Sequence, residues 1–505
     1  MDSRTAGLRP FVVFCVIIAS LGAFSNGINT SSLNIPGDYV KNCPGVPEGE
    51  VSYFEGSSMP KCIPMGDWIW GVATGMFAVG GLLGALAAGP LSERFGRRDS
   101  MLLMNTTFFI GAALLSTSTT SGQFAVGRIF VGAGSGFMTV VISMYIAEIA
   151  PPPTRGALGC FLQLFMTFGI LIIQAIGLGL RSSVGWRVAT VITVAPAAIQ
   201  MILLPFCARS PRWLISHGRI DEARAELLRL RNGDIEEEFS DMILGVSTNS
   251  NEDVKKPVAD GDNDSVYYDK EKAAGNKNTN GDSNLSFFQV IRIPVLALIT
   301  LKMCVVHASS QLNGINAIMY YSTNIFSTSF GDDAPYVTVG VAALNVVVTI
   351  IGLALVDRLG RKFLLLFSSM GMCLFAAIMT IALRFEVSAL QVVCVMLFVS
   401  SFAVGLGTVP FLITAEVYPT YAVGAASSAA LFVNWLCNFI IGLIFPALQK
   451  ALNAYVFLIF TGIAACSSIF MFFFVPETKQ KSIEDIGRSL GWYDLNVKEI
   501  LNKKK

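Results

Sequence analysis

The sequence predicts an all-α membrane protein, with twelve transmembrane helices in two six-helix bundles and short cytosolic helices between them. Three observations carry this: the composition, the lengths of the apolar runs, and landmarks that recur in register in the two halves. The 505 residues are 53% hydrophobic and only 14% charged. Soluble domains carry about 25% charged residues, so this is the balance of a chain that meets lipid. Basic and acidic residues number 36 and 35, which leaves no large field of one sign to hold nucleic acid.

A span needs about 20 mostly apolar residues. Such runs lie near 9–29, 66–91, 100–120, 123–148, 156–180, 187–207, 294–322, 336–356, 363–383, 388–415, 425–448 and 452–475. The first follows a short basic start, as a signal peptide does. It has no obvious cleavage site and further spans follow, so it reads as a retained anchor. Lys and Arg near span ends set the orientation. With both termini cytosolic, "SERFGRR", "VDRLGRK" and "RSPRWLISHGR" fall on the cytosolic side. Arg4, Arg9, the central segment and the tail then outweigh Lys41, Lys61, Arg181, Arg187, Arg384 and Lys450 in the outer loops. Of 10 Cys, most lie in or beside spans and read as small buried apolar residues. Cys43 and Cys62 share the long first outer loop, where an oxidising exterior or lumen permits a disulfide.

The domain division follows. Residues 1–207 form the first bundle, 208–293 a cytosolic linker, 294–476 the second bundle and 477–505 a cytosolic tail. Within the linker, "GRIDEARAELLRLRNGDIEEEFSDMI" has the spacing of two short surface helices. The stretch from about 249 to 285 offers almost nothing to bury and is expected to be disordered.

The halves repeat. "SERFGRR" follows the second span and "VDRLGRK" the eighth; "YIAEIAPPPTRGA" ends the fourth and "LITAEVYPTYAVGA" the tenth. "ARSPRW" and "VPETKQ" close the two sixes. Parallel six-span halves around a central path are the architecture of a secondary transporter. No nucleophile–base pair or metal constellation stands in the sequence, so an enzyme, a cofactor and a metal are not expected.

The stretch "SSQLNGINAIMYYS", 309–322, puts Gln311, Asn313 and Asn316 inside an apolar run. An amide placed in hydrocarbon without a partner costs a few kcal/mol. Gln311 and Asn316 are five apart, roughly 140° around a regular helix. Both face one cavity only if the helix opens, and Gly314 sits between them where opening is easiest. Carboxamides suit a neutral polyhydroxylated solute, because each offers two donors and an accepting oxygen without importing charge.

With "GPLSERFGRR", "GRIFVGAGSGF", "YIAEIAPPPTRGALG", "QLFMTFGILIIQ", "SPRWL", "QLNGINAIMYYS", "VDRLGRK", "NW" at 434–435 and "PETK", the chain resembles the sugar porter family of the major facilitator superfamily, the group of the facilitative glucose transporters. The resemblance runs from the first span to "PETK". It implies alternating access: two bundles rock about a midplane site, without covalent chemistry. It also implies that Gln163, Gln311, Asn316, Asn345 and Asn434 contact a sugar, with Gln174 a less secure member. Asn313 fits a helix-break residue as well as a ligand. Tyr320 and Tyr321 match the pair that closes the outer side. "GLGTVP", 405–410, is a second break, since Gly405, Gly407 and Pro410 disrupt the tenth span.

Three pocket positions depart from the family pattern, and the resemblance implies that two of them, Ser310 and Phe411, also contact the sugar. Ser310 stands where a first Gln of a Gln-Gln pair is usual, Ala403 where Glu is frequent, and Phe411 where many glucose carriers have Trp. A hexose is implied, but a glucose preference is not. Proton-coupled relatives carry an Asp in span one, and Asn29 takes that position here. An amide does not titrate near neutral pH, so uniport is expected rather than symport. His307, one turn before Gln311, is the one titratable alternative in a span.

The resemblance assigns an inner charge network to Glu93, Arg94, Arg97, Arg98, Glu148 and Arg155 in the first half. In the second it assigns Asp357, Arg358, Arg361, Lys362, Glu416 and Glu477. Two positions break the repeat. Val423 stands where Arg155 has its counterpart, and Arg209 stands where the family has an acid, so a weaker inner gate is expected. The competing reading is a sugar sensor on the same fold. Sensors usually carry a long cytosolic tail, and only a short one follows "PETK". The expected partners are a small sugar and the lipid bilayer, with the chain working as a monomer. The sequence is equally compatible with the plasma membrane and with a vacuolar or other internal membrane.

Overall fold

In this computed structural model, residues 8–43, 46–47, 50–151, 154–247, 285, 287–479, 481 and 483–492 are described. Within hydrocarbon every backbone polar group must be satisfied inside the segment, so the apolar runs become helices. Eleven apolar helical stretches are long enough to cross a membrane. The last of them, Ala422–Phe474, holds two helices, Thr420–Leu452 and Val456–Phe474, so the described residues contain twelve spans. No named β-strand occurs among the described residues; one isolated bridge joins Tyr53 and Pro60.

The repeat in sequence is a repeat in space. The second and third spans, Asp67–Phe95 and Arg97–Ser116, meet at Gly96 with φ +84°; the eighth and ninth, Ala334–Leu359 and Arg361–Arg384, meet at Gly360 with φ +93°. Both turns need the left-handed region that favours glycine. At Gly360 a Cβ would also lie 2.7 Å from Glu477 Oε2. That carboxylate accepts from the backbone N–H groups of Arg361 and Lys362 at 3.0 and 3.1 Å, at the positive start of the ninth span.

The first span, Pro10–Ser31, packs along the fifth, where a Cβ on Gly27 would lie 1.9 Å from Met166 O. Glycines also bring the second and fourth spans (Asp67–Phe95 and Ser121–Ile149) into backbone contact. A Cβ on Gly80, Gly84, Gly132 or Gly136 would sit within 2.0 Å of a carbonyl oxygen on the other helix. In lipid, where apolar burial between helices is not a driving force, such close approach is what holds spans together.

The seventh span is broken, as Pro294–Leu312 and Ile315–Phe330, with Gly314 left-handed at φ +98°. The tenth is broken likewise, as Ser388–Val404 and Val409–Glu416. At that break a Cβ on Gly405 would meet Leu364 O at 2.2 Å, and Ser368 Oγ accepts from Leu406 N at 3.1 Å.

Among the described residues the linker forms four helices: Pro211–Ser216, Ile220–Leu230, Glu236–Ser247 and, just before the seventh span, Phe287–Arg292. Trp213, Leu214, Ala223, Leu227, Ile235 and Phe239 close a small core of their own. Arg231 and Glu238, both buried, pair at 2.9 Å there. Of the stretch from about 249 to 285, expected to be disordered, all but Leu285 lies outside the described residues, and Leu285 is buried.

On the opposite face, Cys43 and Cys62 are joined by a disulfide. The clipped loop is pinned to the sixth span, where Trp186 Nε1 donates to Lys61 O at 3.1 Å and Arg187 Nη2 to Pro60 O at 2.7 Å. This side is called the loop face below, and the side carrying Arg9 and Trp492 the terminal face.

One helix end departs from its usual residue. After the ninth span, Val387 N donates to Ala382 O at 3.0 Å and Glu386 N to Leu383 O at 3.4 Å, the bonding of a Schellman cap. Its left-handed position normally takes Gly, yet here it is Glu386 at φ +56°. The strain costs about 1 kcal/mol or more. Asn453, after the eleventh span, is the only other described non-glycine residue with positive φ, at +46°.

Candidate functional site

Between the two bundles lies a cavity of about 90 Å3. A single water needs about 10–15 Å3, so it has room for several waters, the space of one small solute. Its wall draws on both halves. Gln163, Asn26, Thr30 and Thr139 come from the first, and Gln311, Asn316, Asn345, Asn434, Asn438 and Phe411 from the second.

The broken seventh span explains how two residues five apart reach one wall. The left-handed Gly314 resets the helix, and Asn316 Nδ2 donates to Gln311 Oε1 across the break. A Cβ on Gly314 would lie 2.7 Å from the Phe460 ring, so that ring backs the break. Asn313 is wholly buried at the break, its Oδ1 accepting from Ser467 Oγ at 3.3 Å, and faces away from the cavity.

Ser310 does not reach the wall. It lies one layer behind, donating to His307 O at 2.8 Å and accepting from Asn434 Nδ2 at 3.1 Å. Gln174 is also buried outside the cavity wall, with no partner for its Oε1. Asn26, Thr30, Thr139 and Asn438 line the wall without having been singled out in the sequence. For Asn438 a signal existed, since it stands one helical turn past Asn434.

His307 packs edge-on to the Phe411 ring at 5.1 Å. Its Nε2 shares a 3.1 Å hydrogen bond with Thr414 Oγ1, whose own hydrogen goes to Pro410 O at 2.7 Å. Nε2 is therefore the donor. Nδ1 is left as an acceptor facing Asn434 Nδ2 at 3.5 Å. Both nitrogens of a neutral imidazole are used. In the first half Asn29 Nδ2 donates to Ser25 O at 2.9 Å, and Asn29 O accepts from the buried Arg128 at 2.9 Å.

Toward the loop face the cavity is shut. Tyr320 hydroxyl donates to Asn438 Oδ1 at 2.7 Å and Tyr321 hydroxyl to Gly442 O at 2.8 Å. Asn34 at the end of the first span clasps the seventh span. It donates to Met319 O at 2.9 Å and Ser322 Oγ at 2.8 Å, and accepts from Thr323 N at 3.1 Å. Asp67 and Lys450 add an ion pair between the halves at 2.9 Å.

On the terminal face, ion pairs tie residues within each half. Arg97 pairs with Glu148 at 2.9 Å and with Glu93 at 3.3 Å; in the second half Arg361 pairs with Glu416 at 3.0 Å. Arg98 pairs with Asp99 at 2.8 Å, and Arg94 lies over the Phe95 ring at 5.4 Å. Lys362 lies over Phe472 at 5.7 Å, and Arg358 O accepts from Lys479. Arg155 Nε has no partner, and the Asp357 side chain lies outside the described residues. Arg209, the inverted charge, is not left alone: Asp99 meets it at 3.0 Å and Glu222 at 3.8 Å. A hydrogen bond from Arg219 holds Glu222 below the ordinary carboxylate range, and burial opposes that shift. Val423 is half-buried against the apolar core.

Two helical bundles enclosing an amide-lined pocket that is sealed on one face define a membrane carrier. Residues 12–490 match the family model described as "Sugar (and other) transporter", and the chain belongs to that family. Solute carrier family 2, facilitated glucose transporter member 3 of Homo sapiens is 32% identical over 497 residues, covering 96% of this chain and 93% of that protein. Member 14 of the same human family is 31% identical over 501 residues, covering 97% and 90%. Among solved structures, a partially occluded inward-open conformation of the xylose transporter XylE from E. coli matches with TM-score 0.72 at 22% identity, over 94% of this chain and 100% of that one. The proton:xylose symporter XylE bound to 6-bromo-6-deoxy-D-glucose matches with TM-score 0.73 at 22% identity, over 95% and 99%.

Proposed function

We propose that this protein carries a hexose across a membrane by facilitative uniport, its two bundles exposing the central pocket to each side in turn. The observation that carries the reading is the break at Gly314, which turns Gln311 and Asn316 onto one wall opposite Gln163 of the other half. Neutral amides from both halves let a neutral ring bond to both, so binding is coupled to their relative position. Relatives that are facilitated glucose transporters support the hexose, while Phe411 and Ser310 leave the preferred sugar to be set by assay.

Uniport rather than symport is supported by two features of the path. Asn29 is an amide, and both nitrogens of His307 are engaged as a neutral ring. Labelled glucose should therefore equilibrate into proteoliposomes at a rate that ignores an imposed proton gradient. Accumulation driven by the gradient would establish symport; sugar binding without uptake would establish a sensor. The same vesicles test whether a monomer suffices, by dilution to one chain per vesicle.

The terminal face is the cytosolic one in this reading, which places the conformation described here among the inward-facing states. Val423 then leaves the second half without the counterpart of Arg155. Replacing Val423 by Arg should favour outward opening about two- to fivefold, the worth of one partly exposed ion pair. The readout is the rate at which an outside thiol reagent labels Thr30→Cys in a background without free cysteines. Unchanged labelling would remove the charge gap from the account of the gate.

A further inference from the structure

A cavity of about 720 Å3 opens on the loop face, away from the central path. It lies where the end of the seventh span meets the turn between spans nine and ten and the turn between spans eleven and twelve. Its floor is apolar, with Ile325, Leu383 and Phe457, and carries the buried amide Gln391. Gln391 is already satisfied, accepting from Ser329 Oγ at 2.7 Å and donating to Ala382 O at 3.3 Å.

The rim is different. Arg384 and Glu386, exposed and two residues apart, both line it, and no ion pair joins them. Phe385 and Tyr455, 74% and 51% exposed, stand beside them at the level where the spans end. That is the depth at which aromatic side chains meet lipid headgroups. Both described non-glycine residues with positive φ, Glu386 and Asn453, line this one cavity. The cap explains the backbone at Glu386 but not the side chain, because Gly would make the same cap without strain. Residues held in such conformations gather at ligand sites.

We propose that this groove binds the headgroup of a zwitterionic phospholipid. Arg384 takes the phosphate, Glu386 takes the ammonium with the Tyr455 ring beside it, and the apolar floor takes the start of an acyl chain. An anionic headgroup fits less well, because Glu386 repels it while Arg384 attracts it. Gln449 and Asn453 also line the vestibule above Tyr320 and Tyr321. Between them in sequence stands Lys450, the cation of the cross-half pair with Asp67. A bound headgroup therefore braces the segment that holds the loop face shut, a consequence that rests on the transport reading.

The test is native mass spectrometry of the full-length protein in detergent, titrated with phosphatidylethanolamine, phosphatidylcholine or phosphatidylglycerol. One zwitterionic lipid should stay bound per chain at detergent concentrations that strip phosphatidylglycerol. Arg384→Ala and Glu386→Gly should each lower that retention at least tenfold. Glu386→Gly should meanwhile raise the melting temperature, since it relieves the cap, so lost binding is not confused with misfolding. Equal retention of phosphatidylglycerol, retention unchanged in both variants, or displacement of the lipid by millimolar soluble phosphoethanolamine would each overturn the proposal. Labelling of Thr30→Cys, slower in zwitterionic than in anionic vesicles, reads the brace separately. Lipid retention without that difference would leave the site standing and remove its link to the gate.

Discussion

Asn316→Ala should reduce glucose uptake by roughly ten- to a hundredfold while leaving the protein folded. The variant removes a donor from the cavity wall and strips Gln311 Oε1 of its partner across the helix break. A buried polar group left unpaired costs about 1–3 kcal/mol, and each 1.4 kcal/mol is a tenfold change in binding. Asn316→Asp keeps the size but brings a buried charge, and should be at least as damaging. Counterflow in proteoliposomes measures the loss, with the melting temperature as the control for folding. Uptake within twofold of the parent would mean that the amides merely tie helices together. That role is worth only about 0.6 kcal/mol on average.

Gly136→Val should prevent the first bundle from assembling. A Cβ at Gly136 would stand 1.9 Å from Gly81 O, and backbone cannot step aside as a side chain can. Forcing the second and fourth spans apart breaks every other close approach along that seam. A loss of about 3 kcal/mol or more is expected, beyond ordinary overpacking. Gly89→Ala, on the open side of the second span, is the control and should be neutral or slightly stabilising. Fluorescence-detected size exclusion after a heating series reads both. A Gly136→Val protein as stable as the Gly89→Ala control would mean that the two spans are not packed as described.

Much of this was legible before any coordinates, for reasons that are local. Gly96 and Gly360 announce themselves through their motifs, because a tight turn between antiparallel spans needs the left-handed region at one residue. Gln311 and Asn316 stand out as amides in an apolar run, with a glycine between them to open the helix. The rest of the wall was not legible in that way. Asn26, Thr30 and Thr139 are single polar residues in spans, and a lone polar side chain carries no mark of which neighbour it faces. Gln174 and Ser310 show the converse, since residues in the right stretch lie behind the wall or off it. The partners of Arg209 were hidden for another reason. Asp99 lies 110 residues earlier in the chain and meets it only after the third span is laid against the start of the linker.

The clasp on the loop face has a consequence for the surroundings in which the protein works. Asn34 holds the seventh span by bonds between uncharged groups, buried from solvent, while the Asp67–Lys450 pair is exposed. Dissolved ions screen an exposed pair over about 8 Å at physiological strength and scarcely touch a buried bond between neutral groups. The closure is thus built almost entirely from contacts that the salinity of the medium cannot reach. A swing between dilute and briny medium on that side would leave this closure nearly unmoved.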